Sequence, residues 1–350
     1  MSMLTRLAAL TNIDVDDAST AVVKSLPFTP YNQTSNQGII TSELLKSENE
    51  ALLDDLVAKY GSQGWETVYN KAAVALVARN VPFLSGRVLI QVSLRHLNDK
   101  AAIISQCREY AASFADAGIP NDRYAIKLPF SGAAAAAARE LKAEGIATLA
   151  TSVFCMEQAV AASQAGCVMI SPYYNEIAAH IDPSARINVA DTALQHPMSP
   201  RILQMLSFFA SQPAPQPIMV IASHITPQEV LAMANLGCPH ITISAANLEG
   251  LAALPDTLGP VTAGKPSPTY AGWKTPEKYA ALEKTDPLAS GEWNGVTASM
   301  ATDYVADNGK ALDEYIRSDA LVSHRIEDAR KFFLKAEDEA KTAIEAKIKA

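Results

Sequence analysis

Tyr124-Ala125-Ile126-Lys127-Leu128-Pro129 is a short, apolar, β-prone run interrupted by one lysine. A strand alternates sides with a period of two, so Ala125 and Lys127 share one face and Tyr124, Ile126 and Leu128 the other. In a closed barrel sheathed by helices, the bulky face meets the helices and Lys127 points inward. An ammonium held there loses hydration, and its pKa falls unless it is paired. A lysine that is partly neutral near pH 7 attacks carbonyls and forms a Schiff base. The competing reading is a strand-end lysine that snorkels to solvent, the ordinary fate of a lysine in a strand. The surrounding chain decides between the two.

Similar runs recur on both sides. Ala9–Val15, Phe28–Gln33 (broken by Pro30), Arg87–Ser93, Ile146–Phe154, Cys167–Ser171, Pro217–Ser223 and His240–Ser244 read as seven further strands. Helical pattern lies between them: Asp16–Leu26, Thr41 to about Lys59, Trp65–Arg79, Asp99–Ala117, Ala133–Glu144 and Met156–Ala165. Two more helical stretches follow, Asn188–Ala210 around a break at Pro197–Pro200 and a helix opened by Thr226-Pro227. The strands lack the alternation of a half-exposed sheet and read as parallel strands buried on both faces. Eight such units by about residue 255 fit the ~250 residues of a (β/α)8 TIM barrel. A doubly wound sheet is the runner-up, but no Gly-x-Gly-x-x-Gly follows the first strand. Residues 256–350 form a C-terminal extension packed on the barrel within the same domain. Gly259–Gly291 is irregular and carries Tyr270 and Trp273, whereas Asn294–Ile316 and Ser323–Lys349 are helical.

The 350 residues, 49% hydrophobic and 19% charged, suit a soluble globular protein. A net charge of −8 argues against nucleic acid and anionic membranes as partners. No apolar run approaches the ~20 residues of a membrane span, and Met1–Leu10 lacks a signal-peptide pattern, so a cytoplasmic location is expected. Cys107, Cys155, Cys167 and Cys238 are dispersed in apolar segments and read as reduced core residues.

Barrel enzymes build their sites at the C-terminal ends of the strands. Those ends carry Asp14, Asn36, Gln91, Lys127, Thr151, Ser171 with Tyr173, and Ser223 in strand order. A lysine among acids, amides and hydroxyls is what imine chemistry requires: an amine to attack, groups to move protons, donors to hold hydroxyls. No His, Cys or Asp cluster has metal-ligand spacing, so a metal-dependent route is not expected.

At these positions the sequence resembles the transaldolase family. Thr34-Ser35-Asn36 resembles the family's T-T-N-P-S turn, and Ile126-Lys127-Leu128-Pro129 its I-K-I/V-P strand. Ile170-Ser171-Pro172-Tyr173 resembles its I-S-P-F/Y stretch, and Ala222-Ser223 its A-S-F segment; Ala143-Glu144-Gly145-Ile146 also matches. The likeness runs from about Ile13 to about Ser244. It implies a cofactor-free class I aldolase in which Lys127 is the Schiff-base lysine and Asp14 the acid/base residue. Asn36, Thr151, Ser171 and Ser223 would line the site, with Thr151 helping to hold a water. It also implies a homodimer.

Several positions depart from the family pattern. Gln91 stands for a glutamate and Tyr173 for a phenylalanine, a pair that resembles the fructose-6-phosphate aldolase branch, where the tyrosine handles the proton. Leu149 replaces an asparagine, which dries the site. Glu176 and Ile225 stand where phosphate-gripping basic residues are expected, and a carboxylate repels a phosphate dianion. The sequence therefore points to aldol chemistry with a small hydroxyketone donor and an unphosphorylated acceptor, Glu176 and His224 being further substrate-binding candidates. His180 reads as surface. Arg201 and Lys265 are the cations that would rebuild a phosphate site from neighbouring loops. Two alternatives stand beside this reading: an ordinary transaldolase of the pentose phosphate pathway, and a catalytically silent barrel that binds a sugar or a partner.

Overall fold

The computed structural model describes residues 2–350 apart from 262, 263, 268, 294, 296 and 297. The chain opens with α1 (Met3–Leu10), β1 (Asn12–Asp16), α2 (Thr20–Ser25) and β2 (Gln33–Thr34). Helices α3 (Gln37–Leu44), α4 (Glu50–Tyr60) and α5 (Trp65–Ala78) precede β3 (Val88–Gln91), and α6 (Lys100–Asp116) leads to β4 (Tyr124–Pro129). Then come α7 (Gly132–Ala143), β5 (Thr148–Val153), α8 (Met156–Ala165) and β6 (Met169–Pro172). Between β6 and β7 (Ile218–Ile221) lie α9 (Ala178–Ile181), α10 (Thr192–Gln195) and α11 (Ser199–Ser211). Helix α12 (Pro227–Asn235) precedes β8 (His240–Ser244), and α13 (Ala245–Ala253), α14 (Ala306–Ser318) and α15 (Ala320–Lys349) follow it.

All eight strands are parallel and pair in sequence order, and β8 closes on β1 with Asp14 opposite Thr242 and Asp16 opposite Ser244. This is the expected (β/α)8 barrel. Strand β4 shows why it forms. Tyr124, Ile126 and Leu128 join the large core between strands and helices, with Tyr124 stacked on Phe114 of α6 at 4.2 Å. On the opposite face Ala125 meets Leu89, Leu149, Met169 and Val220 in an apolar plug inside the barrel. The plug fills the lumen below Lys127 and leaves open space only toward the C-terminal ends of the strands.

Several boundaries differ from the expectation. Residues 9 and 10 belong to α1, so β1 starts later and runs through Asp16, which is a strand residue rather than the first of a helix. Strand β2 is displaced to Gln33–Thr34, past Pro30, whose ring removes a ladder donor. The helix expected from Thr41 is two helices, α3 and α4. The first begins at Gln37 because Asn36 caps it, accepting the Ile39 amide at 3.0 Å. The stretch around Pro197–Pro200 splits into α10 and α11. In the tail, α14 begins at Ala306; the expected start at Asn294 lies outside the described residues, as do 262, 263 and 268 of the irregular stretch. Its first part is tied to the start of β7 and to the turn before β8, and its later part to Arg201 and Gln204 of α11. Tyr270 donates to Pro217 O and accepts from Met219 N, both at 2.7 Å, and Trp273 donates to Gly237 O at 3.1 Å.

The alanine run of α7 is buried throughout Ala133–Ala138 because α14 lies against it. Its first amide, Gly132 N, donates to Asp313 at 2.6 Å. Gly309 closes a left-handed turn with Asp307 and Asn308, and a Cβ added there would stand 2.1 Å from Gly132 O. Gly309→Ala is therefore expected to cost about 2–4 kcal/mol, combining left-handed strain with backbone overlap. Urea unfolding followed by circular dichroism checks this; an unchanged midpoint would show that the contact relaxes freely.

Candidate active site

Lys127 sits on the inner face of β4, in register with Gln91 on one side and Leu149 on the other. It is 5% exposed. Its Nζ donates to Thr34 Oγ1 at 2.9 Å and to Ser35 O at 3.1 Å. A neutral amine has two N–H bonds and one lone pair; with both hydrogens engaged, the lone pair is the valence left over. Burial pulls the Lys127 pKa from its ordinary 10.5 down to about 8, and the charge of Asp16 resists that fall. Asp16 moves the other way, up to about 6, because burial outweighs the attraction of Lys127. Near neutrality, then, a fraction of the lysine is nucleophilic, and the carboxyl exchanges its proton readily.

Both line a cavity of about 160 Å3 together with Asn36, Tyr173, Ile177, His180, Ala222, Ser223, Thr242, Phe332 and Phe333. Of the residues expected from the sequence, Lys127, Asn36, Tyr173 and Ser223 meet here. Asn36 commits its Oδ1 to the helix cap. Tyr173 packs edge-on to Phe154 at 5.6 Å, and burial raises its pKa, so the phenol keeps its proton. Thr151 stands behind it, its Oγ1 3.4 Å from the Tyr173 hydroxyl, with Ser171 beside Thr151 on β6. Gln91 is locked by Gln37, to whose Oε1 its Nε2 donates at 2.6 Å, and its own Oε1 is buried without a protein partner.

Gln91, Thr151 and Ser171 thus stand behind the lining, and Asp14, Glu176 and His224 do not line the cavity either. Asp14 lies two positions below Asp16, roughly 7 Å along the strand, where His240 and the Asn32 amide hold its Oδ1 at 3.3 and 3.0 Å. Asn12 donates to the far nitrogen of His240, so the imidazole proton is on Nδ1 and points to Asp14. The acid that faces Lys127 is thus Asp16. Both aspartates are on the inward face, and strand tilt sets which one reaches the level of the amine. Glu176 turns away and pairs with Arg325 of α15 at 3.2 Å. His224 donates Nδ1–H to Thr242 O at 3.1 Å, and burial drives its pKa down to about 3, leaving it neutral. Ile225 lines a separate surface groove.

Neither proposed replacement cation reaches the cavity. Arg201 is tied to Asp286, Phe154 O and Leu288 O, and Lys265 donates to Asn12 at the opposite end of the barrel. Among the described residues no three His, Cys, Asp or Glu side chains are grouped to hold a metal. His180 is exposed, as expected, and also lines the cavity, whereas Asp16, Thr34, Thr242 and the phenylalanines of α15 were not expected at the site. The inward parity that Asp16 shares with Asp14 was the available signal for one of them.

The family described as Transaldolase/Fructose-6-phosphate aldolase matches residues 15–310. The transaldolase of Thermosynechococcus vestitus is 29% identical over 186 residues, 51% of this chain and 47% of that protein. The transaldolases of Edwardsiella ictaluri and Aeromonas salmonicida are each 30% identical over 180 residues, 50% of this chain and 56% of theirs. The chain thus spans about half the length of these curated relatives.

The electrostatics make one prediction that is independent of substrate. Reductive methylation of Lys127 by formaldehyde and cyanoborohydride, read by peptide mass, should rise with pH around a midpoint near 8. Asp16 favours the ammonium, so Asp16→Asn should move the midpoint lower. A midpoint that stayed put or rose would contradict the pairing.

Proposed function

The chain belongs to the transaldolase/fructose-6-phosphate aldolase family, and from that premise we propose that it makes and breaks carbon–carbon bonds through a Schiff base on Lys127. The observation that carries this is the buried amine, brought down to about pKa 8 beside Asp16, with both of its hydrogens held and its lone pair left for a carbonyl. The neutral amine attacks the ketone carbon of a small hydroxyketone. The carbonyl oxygen takes two protons in turn while the nitrogen loses its two, the oxygen leaves as water, and an imine forms. Loss of a proton from the adjacent carbon gives the enamine, which adds to an aldehyde; the aldehyde oxygen is protonated and water then hydrolyses the imine. Asp16 is the group suited to these proton transfers, since near neutrality it can accept and return one. Tyr173 is a phenol donor at the same cavity, and Thr151, 3.4 Å from its hydroxyl, and the unpartnered Gln91 Oε1 are read as the groups that hold a water or a substrate hydroxyl. No cofactor enters this chemistry.

The donor is read as dihydroxyacetone or hydroxyacetone, and the acceptor as unphosphorylated. Among the described residues no arginine lines the cavity, and Lys127 is its one lysine. A phosphate dianion would therefore enter an apolar space with a carboxylate in it and no cation to spare. The relatives' name favours a second reading, transfer of a dihydroxyacetone unit between sugar phosphates.

Borohydride trapping tests both. The protein is incubated with dihydroxyacetone, hydroxyacetone or fructose 6-phosphate, reduced, and analysed by intact mass and peptide mapping. An adduct on Lys127 from the unphosphorylated ketones, with little from the sugar phosphate, is expected, and Lys127→Met should abolish both adduct and turnover. Preferential trapping of fructose 6-phosphate would favour the transferase. No adduct from any donor would favour a silent barrel.

A further inference from the structure

Outside the inner cavity, a groove of about 650 Å3 runs between α9 and α15. Ile177 and Phe332 line both spaces, so the two are adjacent. The inner cavity, at about 160 Å3, is the smaller of the two and surrounds Lys127, so it is read as the donor's place and the larger groove as the second substrate's.

His180 stands at the junction. Ser223 donates its single hydroxyl proton to Asn175 O at 2.7 Å, so it receives its 2.8 Å bond from His180 as acceptor. The imidazole therefore carries its proton on Nε2 and presents Nδ1 as an acceptor, without a partner among the described residues. Desolvation of the ring and then the nearby Arg186 guanidinium press His180 below the usual imidazole range. Beyond it the groove exposes Ile181 (64%) and Phe332 (37%), large apolar side chains of the kind that mark a ligand surface. Lys331 and Lys335 border the groove, but Asp182, Asp328 and Glu339 outnumber them. Its field does not favour an anion.

We propose that His180 and this groove form the acceptor subsite, and that it takes an uncharged hydroxyaldehyde bearing an apolar substituent. The hydroxyl donates to His180 Nδ1, and the substituent lies against Ile181 and Phe332. This rests on the Schiff-base reading and adds the acceptor's chemical class to it.

The test is steady-state kinetics with dihydroxyacetone as donor and 2-hydroxyhexanal, glyceraldehyde or glyceraldehyde 3-phosphate as acceptor. The KM for 2-hydroxyhexanal should be the lowest of the three. His180→Ala removes one hydrogen bond and should raise that KM about three- to tenfold, with the donor KM moving less than twofold; His180→Gln, which keeps an acceptor, should recover part of the loss. Ile181→Asp, at an exposed position where folding is not at stake, should raise the same KM. The proposal is overturned if glyceraldehyde 3-phosphate has the lowest KM and loses that advantage in Lys331→Ala/Lys335→Ala. It is also overturned if His180→Ala and Ile181→Asp both leave the acceptor KM unmoved while Lys127 still forms its imine. No imine in the wild-type protein would overturn the Schiff-base reading itself, and this proposal with it.

Discussion

The enclosure of an ammonium and a carboxylate in the upper lumen of the barrel is the constraint around which the site is arranged. Neither charge is comfortable there. Lys127 falls from 10.5 to about 8 and Asp16 rises from 3.8 to about 6. For the lysine that difference corresponds to roughly 3 kcal/mol between its two protonation states. Because the folded state holds its proton less tightly than the unfolded chain, stability is reduced below pH 8 and recovers as pH rises toward 10.5. The barrel closure, the apolar plug below Lys127 and the helix cap at Asn36 together keep the amine fixed against that tendency.

The same constraint explains the polar ring around the amine. Thr34 Oγ1 and Ser35 O are uncharged acceptors, so they orient the nitrogen without restoring its proton as a second carboxylate would. Leu149 beside Lys127 keeps one flank dry. Asp14, the other inward acid of β1, is removed from the balance by its bond with His240 on the floor of the barrel. One strand thus carries two carboxylates with separate surroundings, one bonded to His240 and one facing the cavity.

How far the sequence could be read follows the range of the forces involved. Strand β4 and its inward lysine were legible because alternation is local: side chains two apart share a face whatever the rest of the chain does. Helix α8 and strand β8 were legible from Gly stops and apolar runs for the same reason. The choice between Asp14 and Asp16 was not, since it depends on how far each strand is staggered against its neighbours, a property of the closed barrel. His180 is exposed, as its sequence suggests, and that it also borders the cavity depends on where α9 lies over the barrel. The contribution of Phe332 and Phe333 depended on where α15, which starts at Ala320 long after β8 ends at Ser244, comes to rest.

Glu176 shows how that distant helix resolves a local conflict. A carboxylate at the position where the family pattern has an arginine reads in isolation as a repulsive wall of the substrate site. In the fold it is half-buried and would be costly alone, and Arg325 neutralises it. Arg325 is itself enclosed, near the Phe154 ring, with burial pressing against its charge, so each ion depends on the other. The pair lies on the same helix that presents Phe332 and Phe333 to the cavity. One helix thus holds the ion pair and supplies the cavity's apolar wall. An arginine introduced at Glu176 alone would face Arg325 rather than a substrate, so a phosphate site cannot be built at that position without also releasing the helix.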